Sequence, residues 1–301
     1  MEVRAFAPGI YPRSHALVEA TRDLERRRTS VEAVDEQFER DFALLLQAQE
    51  QAGLDLLSDG LLRWQDIFRP LTERAAGLEA RPLTRFLDTN TFYRAVLVEG
   101  TPRLEDPLPA PRLPSGRWLG TLPSPLAFSF ATGRSASPQE LAANVLAPQI
   151  EAYAAAGCAL VVLVEPFLAR QGGGRELRAG LAELPTSVPL ALHLVFGNAA
   201  DVIDDTISLP VDAVGVDFYA TSLESIPNDF PKEILAGVVD VRSSAIEDAA
   251  QIARFVGALA ERDPAGVSLV PNGDLQFVPE PIARRKLSVL GAGRVRLGEV
   301  A

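Results

Sequence analysis

The chain has 301 residues, 47% of them hydrophobic. That length suits one barrel of about 250 residues with insertions and is short for two separate domains. A net charge of −11 argues against a nucleic-acid binder, which would carry a basic stripe, and no apolar run reaches the ~18 residues of a membrane span. The opening stretch, Met1 to Gly9, lacks the continuous apolar core and small-residue cleavage site of a signal peptide, so a cytoplasmic location is expected. The single cysteine, Cys158, excludes an intramolecular disulfide and any multi-thiolate metal site within one chain.

Short apolar runs alternate with longer helical patterns along the chain, which is the mark of parallel βα units. Strands are predicted at 5–11, 54–59, 118–123, 159–165, 189–195, 212–217, 235–240 and 267–271. Two helices, 14–27 and 30–52, follow the first strand. The second carries a capping-box pattern in Thr29 and Glu32, and a stripe of Val31, Val34, Phe38, Phe42 and Leu45. After the second strand, residues 83–99 read as an inserted hairpin and 101–116, with five prolines, as an irregular surface excursion. Segment 137–156 opens with Ser137-Pro138-Gln139-Glu140, a cap followed by proline in the first turn. Ala159 to Val164 is apolar throughout, as a strand covered on both faces requires. Gly172-Gly173-Gly174 is a loop without the lysine and Ser/Thr of a phosphate-binding motif. Segment 244–262 sets Ile246, Ala249, Ala250, Ala253, Val256 and Ala260 near one helical face. No domain boundary interrupts this order, because the strands on both sides are needed to reach eight. The expected fold is α/β, a single (β/α)₈ TIM-type barrel over 1–301 with a hairpin inserted around 83–99.

The site of such a barrel forms at the C-terminal ends of its strands. Polar residues there are Tyr11 and Arg13, Ser58 and Asp59, Ser124, Glu165, His193, Asp217, Asp240 and Arg242, and Asn272 and Asp274. Carboxylates converging in one mouth bind a cation or a cationic substrate, or act as acid and base. The structural alternative is that they cap the next helix or pair with Arg13 and Arg242. His193 reads either as a metal ligand or general base, or as a hydrogen-bonded structural group. His15 reads as surface and Cys158 as a small buried residue at the opposite end of the barrel.

Several of these stretches resemble the catalytic barrel of cobalamin-independent methionine synthases. They are Gly9-Ile10-Tyr11-Pro12-Arg13-Ser14, Gln47 through Gly60, Leu122-Pro123-Ser124-Pro125 and Val162-Leu163-Val164-Glu165-Pro166. Further along are His193-Leu194-Val195-Phe196-Gly197-Asn198, Gly237-Val238-Val239-Asp240-Val241-Arg242-Ser243 and the stretch from Leu275 to Leu290. They cover nearly the whole chain in the family's order. The resemblance implies a zinc site of a histidine, two cysteines and a glutamate, where the metal lowers the thiol pKa of homocysteine before methylation by a folate or other donor. Transferred by position, His193 matches the histidine and Asp217 replaces the glutamate. Val195 and Gly273 stand where the cysteines belong. Ile10, Leu61 and Val164 replace a serine, a substrate-binding glutamate and an aspartate. A remnant of His193 and Asp217 would bind zinc weakly, since catalytic sites normally use three protein ligands.

Two functions follow from the resemblance. One is methyl or alkyl transfer to a thiol such as homocysteine through a remodelled or absent zinc site, with folate as a possible methyl donor. Glu165, His193, Asp217 and Asp274 would then be catalytic, and Tyr11, Arg13, Asp59, Ser124, Asp240 and Asn272 would bind substrate. The other is a non-catalytic barrel that binds a small molecule or a partner protein. Decarboxylation, as in the related uroporphyrinogen decarboxylases, ranks last for want of a basic cluster.

Overall fold

Leu160–Glu165 is buried at all six positions, as expected of a strand packed on both faces. The computed structural model, which describes residues 3–300 apart from 88 and 90, places it in a curled sheet of seven parallel strands. Met1 and Glu2, included in the reading of the N-terminus, lie outside the described residues, as do Asp88 and Asn90 of the expected hairpin.

In chain order the elements are β1 (Val3–Ala5), α1 (His15–Glu25), α2 (Val31–Gln51), α3 (Arg69–Arg74), β2 (Ala76–Arg85), β3 (Phe92–Arg103), β4 (Leu119–Pro123), α4 (Pro125–Ala131), α5 (Pro138–Leu141) and α6 (Ala147–Ala155). Then come β5 (Leu160–Glu165), α7 (Leu168–Gln171), α8 (Gly174–Leu181), β6 (Leu190–Leu194), α9 (Ile203–Thr206), β7 (Ala213–Asp217), β8 (Glu233–Val239), α10 (Ala249–Ala260), β9 (Gly266–Pro271) and α11 (Glu280–Val300). The sheet order is β1-β9-β8-β7-β6-β5-β4. No helix among the described residues is long and apolar enough to cross a membrane.

The expected second strand, 54–59, is not one. It makes two isolated parallel bridges, Phe6 to Leu56 and Leu57 to Trp118, so no full strand joins β1 to β4. Side chains take the bonds a ladder would need. Asp55 accepts from Ala5 N at 2.8 Å. The buried Gln49 amide accepts from Ser58 N at 2.9 Å and donates to Ser58 O at 2.8 Å. The inner core nonetheless includes this segment: Leu56 clusters with Phe6, Leu119, Leu160, Val162, Ala191, Ala213, Leu235 and Val270.

Serines begin several helices. Ser14, Ser124 and Ser137 each accept a backbone N–H of the first turn. For α2 the cap is Ser30, which accepts from Ala33 N at 3.3 Å, and not Thr29. This shift by one residue leaves Val31 at the helix start, 57% exposed, while Val34 and Leu45 are buried. Phe38 completes the stripe beneath the guanidinium groups of Arg13 and Arg63, at 5.5 and 4.6 Å.

The inserted hairpin is longer than expected, spanning β2 and β3 in antiparallel pairing. It is anchored by Asp66, which accepts from Arg94 N at 3.0 Å. The helix predicted at 137–156 runs through α5, a π turn at Ala142–Leu146 and α6. Pro148 has no N–H to give the Asn144 carbonyl. That carbonyl accepts instead from Leu104 N at 2.9 Å, just after the hairpin. Gln149, fully buried, then grips Leu108 from both sides: Leu108 N donates to Oε1 at 2.7 Å and Nε2 donates to Leu108 O at 3.1 Å. The proline-rich excursion is thus tied to α6. Replacing Gln149 with Leu leaves two backbone groups without partners, at about 1–3 kcal/mol each. Urea unfolding should show a loss of about 2–4 kcal/mol, and an unchanged midpoint would mean that Gln149 does not hold the excursion.

Candidate functional site

The parallel strands bring their C-terminal ends to one side, and the predicted polar residues gather there in separate groups. The first is Ser124 with Glu165. Ser124 Oγ caps α4 by accepting from Ala127 N at 3.0 Å and donates to the Glu165 carboxylate. The other oxygen of Glu165 accepts from Phe167 N and Leu168 N at 2.6 and 2.9 Å. Burial raises the Glu165 pKa against these hydrogen bonds.

The second group is Asp217, Asp240, Arg242 and Asn272. Asn272 Nδ2 donates to Asp217 at 2.8 Å and to Asp240 at 3.2 Å, while its carbonyl accepts from Val241 N at 2.9 Å. Arg242 lies 3.1 Å from each of the two carboxylates. Its approach to Asp217 Oδ2 is an ion pair by distance only, since that buried oxygen has no aligned donor. Burial raises Asp217. Burial also opposes ionisation of Asp240, but hydrogen bonds from Arg242 and Asn272 outweigh it and hold Asp240 below the usual range.

Asp274 forms the third group. It accepts from Ile10 N at 3.2 Å and Gln276 Nε2 at 3.1 Å. Gly9 permits this approach: its φ is +89°, and a Cβ there would sit 2.0 Å from Asp274 Oδ1. Burial pushes Asp274 up to about 6.

The remaining predicted residues are held locally. Arg13 donates to the carbonyls of Leu62 and Trp64 at 2.8 and 3.1 Å, not to a carboxylate. Tyr11 donates to Glu280 at 3.4 Å. Asp59 accepts from Leu61 N at 3.0 Å, where Leu61 has a φ of 47°. His193 stands alone on β6, fully buried, with Nε2 lacking a partner. Its ring lies against Gly215, where a Cβ would be 2.4 Å from Cδ2. Burial lowers its pKa to about 4.

A zinc ion does not fit this donor set. Val195 and Gly273 offer no side-chain ligand. Among the described residues, no three His, Cys, Asp or Glu side chains are placed to hold a metal. A phenylalanine cluster that sequence reasoning missed occupies the region instead. Phe196, with a φ of 60°, puts its ring tip 3.5 Å from where a Cβ of residue 273 would stand. It meets Phe277 at 5.1 Å and Phe86, at the end of β2, at 6.1 Å, both edge-on. Nothing in the sequence pairs Phe86 with Phe196. A cavity of about 20 Å³ remains beside Ile10, Asp274, Phe86 and Tyr93, room for about one water.

His193 and Asp274 give opposite pH dependences. The native pKa of His193 is depressed from 6.5 to about 4, so its contribution to stability is present above pH 6.5 and lost as pH falls through 4. The pKa of Asp274 is raised from 3.8 to about 6, so its contribution is present below pH 3.8 and lost as pH rises through 6. Between pH 7 and 4, unfolding free energies should show His193→Gln gaining on the parent protein by about 3 kcal/mol, and Asp274→Asn falling behind it by a similar amount. Parallel curves for either variant would show that the residue does not titrate in that window.

No protein-family model matches the chain. Two curated relatives do, along nearly their whole length. The methionine synthase of Sulfurisphaera tokodaii is 23% identical, with 93% of this chain and 88% of the relative covered. That of Sulfolobus acidocaldarius is 22% identical, with coverage of 93% and 87%. Among solved structures, the B12-independent methionine synthase of a Shewanella strain, in complex with selenomethionine, superposes with a TM-score of 0.70 at 18% identity over 91% of each chain. These likenesses accord with the motif order, and the site geometry shows where the chain departs from it. The chain is a divergent methionine-synthase-like protein without a metal-binding cluster among its described residues.

Proposed function

We propose that this chain is a methionine-synthase-like barrel that binds a small molecule and no longer carries out zinc-dependent thiol alkylation. In this reading it is one domain, and segment 54–59 fills the eighth position of a closed (β/α)₈ barrel. Leu56 and Leu57, which bridge toward both β1 and β4, support the closure. The observation that carries the functional reading is the replacement of thiolate positions by Val195 and Gly273, with Phe196 packed over the latter. Valine and glycine cannot ligate zinc, and the Phe196 ring tip lies 3.5 Å from where a side chain at 273 would begin. The amino acid bound in the Shewanella structure supports a ligand of similar size.

The test combines metal analysis with thermal shift. Protein expressed with added zinc should carry less than stoichiometric metal, and the melting temperature should rise with one or more of methionine, homocysteine, a folate or an organic amine, because a ligand that binds only the folded state stabilises it. Stoichiometric zinc that disappears in His193→Ala would overturn the loss of the metal. Silence toward all of these ligands would overturn the binding role.

A second reading, alkyl transfer to a thiol with a folate as donor, is favoured by one observation: His193 Nε2 and Asp217 Oδ2 are both buried without hydrogen-bond partners at adjacent strand ends. In that reading Glu165, His193, Asp217 and Asp274 work on the substrate, and Tyr11, Arg13, Asp59, Ser124, Asp240 and Asn272 surround it. Alanine at His193 or Asp217 would then abolish turnover, and unchanged turnover would remove them from the mechanism.

A further inference from the structure

A cleft of about 450 Å³ separates α2 and the loop after segment 54–59 from the proline-rich excursion. That volume is within the range of small-molecule sites. Its walls are apolar: Phe38, Phe42 and Trp64 on one side, Leu108, Pro109 and Pro111 on the other. Gln149 fixes the second wall by holding both backbone groups of Leu108.

Asp59 also lines the cleft and keeps accessible surface. Its Oδ1 accepts from Leu61 N at 3.0 Å. Beyond that, the carboxylate is supported only by its own backbone N–H, and no side chain among the described residues donates to it. Tyr153 lies close enough for the Asp59 charge to raise its pKa, but no hydrogen bond joins the two. Burial raises the pKa of Asp59 itself.

The cations of the cleft are matched elsewhere. Arg63 pairs with Asp35 and Glu39 at 2.6 and 3.2 Å, Arg112 lies 3.9 Å from Glu39, and Arg74 pairs with Asp106. Glu39, Arg63 and Arg112 stand at the outer end, where the cleft meets a shallow surface concavity. None of the three guanidinium groups acts on Asp59. Among the described residues that line the cleft, Asp59 is therefore the one charge without an opposite charge beside it. A carboxylate in apolar surroundings gains most from a charged donor.

We infer that this cleft binds a small organic monocation, a primary ammonium on an apolar body. The ammonium donates to Asp59 Oδ2, and the body lies between Trp64 and the excursion. The inference rests on the reading of the chain as a small-molecule binder, and adds where the ligand goes and what class it is.

Calorimetry on the intact chain tests it with phenethylamine, its neutral isostere 2-phenylethanol and the anion 3-phenylpropionate. The amine should bind saturably, about tenfold or more tighter than the alcohol, with no binding of the anion. Asp59→Asn keeps an oxygen for Leu61 N and removes the charge, so amine and alcohol should then bind equally. Ala110→Phe fills part of the cleft from the excursion and should weaken the amine several-fold. Of the two tryptophans, Trp118 is buried in the core and Trp64 lines the cleft. Binding should therefore change the tryptophan fluorescence, and Trp64→Phe should remove that change. Equal binding of amine and alcohol by the parent protein, a preference for the amine that survives Asp59→Asn, full affinity in Ala110→Phe, or binding without a fluorescence change would each overturn the inference. Binding of methionine or a folate with none of phenethylamine would overturn it and leave the small-molecule reading standing. Silence toward every compound would overturn both.

Discussion

Strands packed on both faces leave the polar side chains at their ends little access to water, and this constraint organises the mouth of the sheet. A buried polar group must find a partner inside the protein or lose free energy. Glu165 finds Ser124 and two backbone N–H groups. Asp217 and Asp240 share Asn272 and Arg242. Asp274 takes the Ile10 N–H across the turn that Gly9 allows. The acidic residues of the mouth are therefore held largely by hydrogen bonds that also fix the loops above the strands.

The same constraint explains the phenylalanine cluster. A zinc site with two thiolates has four charged or polar ligands converging on one ion. With valine and glycine at two of those places, the region has too few donors for a metal and too little polarity to hold much water. Phe196, Phe277 and Phe86 cover it with apolar surface, and burial of the Phe196 ring contributes on the order of 2 kcal/mol, the two partly buried rings less. Because Phe86 belongs to the inserted hairpin, the altered site and the insertion are coupled: the hairpin end packs directly on the residue that stands over Gly273. His193 Nε2 is buried without a hydrogen-bond partner, and Asp217 Oδ2 is met only by the Arg242 charge.

The tie between hairpin and wall is itself a consequence of one proline. Without an N–H on Pro148, the helix relaxes into a π turn, and the Asn144 carbonyl is free to receive Leu104. Gln149 then fastens the following chain at Leu108. A local defect in one helix thus positions a segment distant in sequence.

Six of the eight expected strands lie where apolar runs bounded by turns predicted them, because burial on both faces leaves a continuous signature, whereas the first, expected at 5–11, is Val3–Ala5 and shares only Ala5 with that range. Segment 54–59 makes only bridges, since Gln49 takes the Ser58 N–H and carbonyl and the Asp55 carboxylate takes the Ala5 N–H of the neighbouring strand, and a side chain's choice of partner is not written in periodicity. The absent thiolates were legible residue by residue, and so was the gathering of Asp217, Asp240 and Asn272 at strand ends. That Arg13 would serve carbonyls and that Phe86 would reach Phe196 depended on contacts between distant segments. Local sequence determined the elements and the chemistry available at their ends, because propensity and pattern act over a few neighbouring residues. Only the tertiary structure decided which of those groups bond to one another, because burial and pairing arise when segments far apart in the chain are packed together.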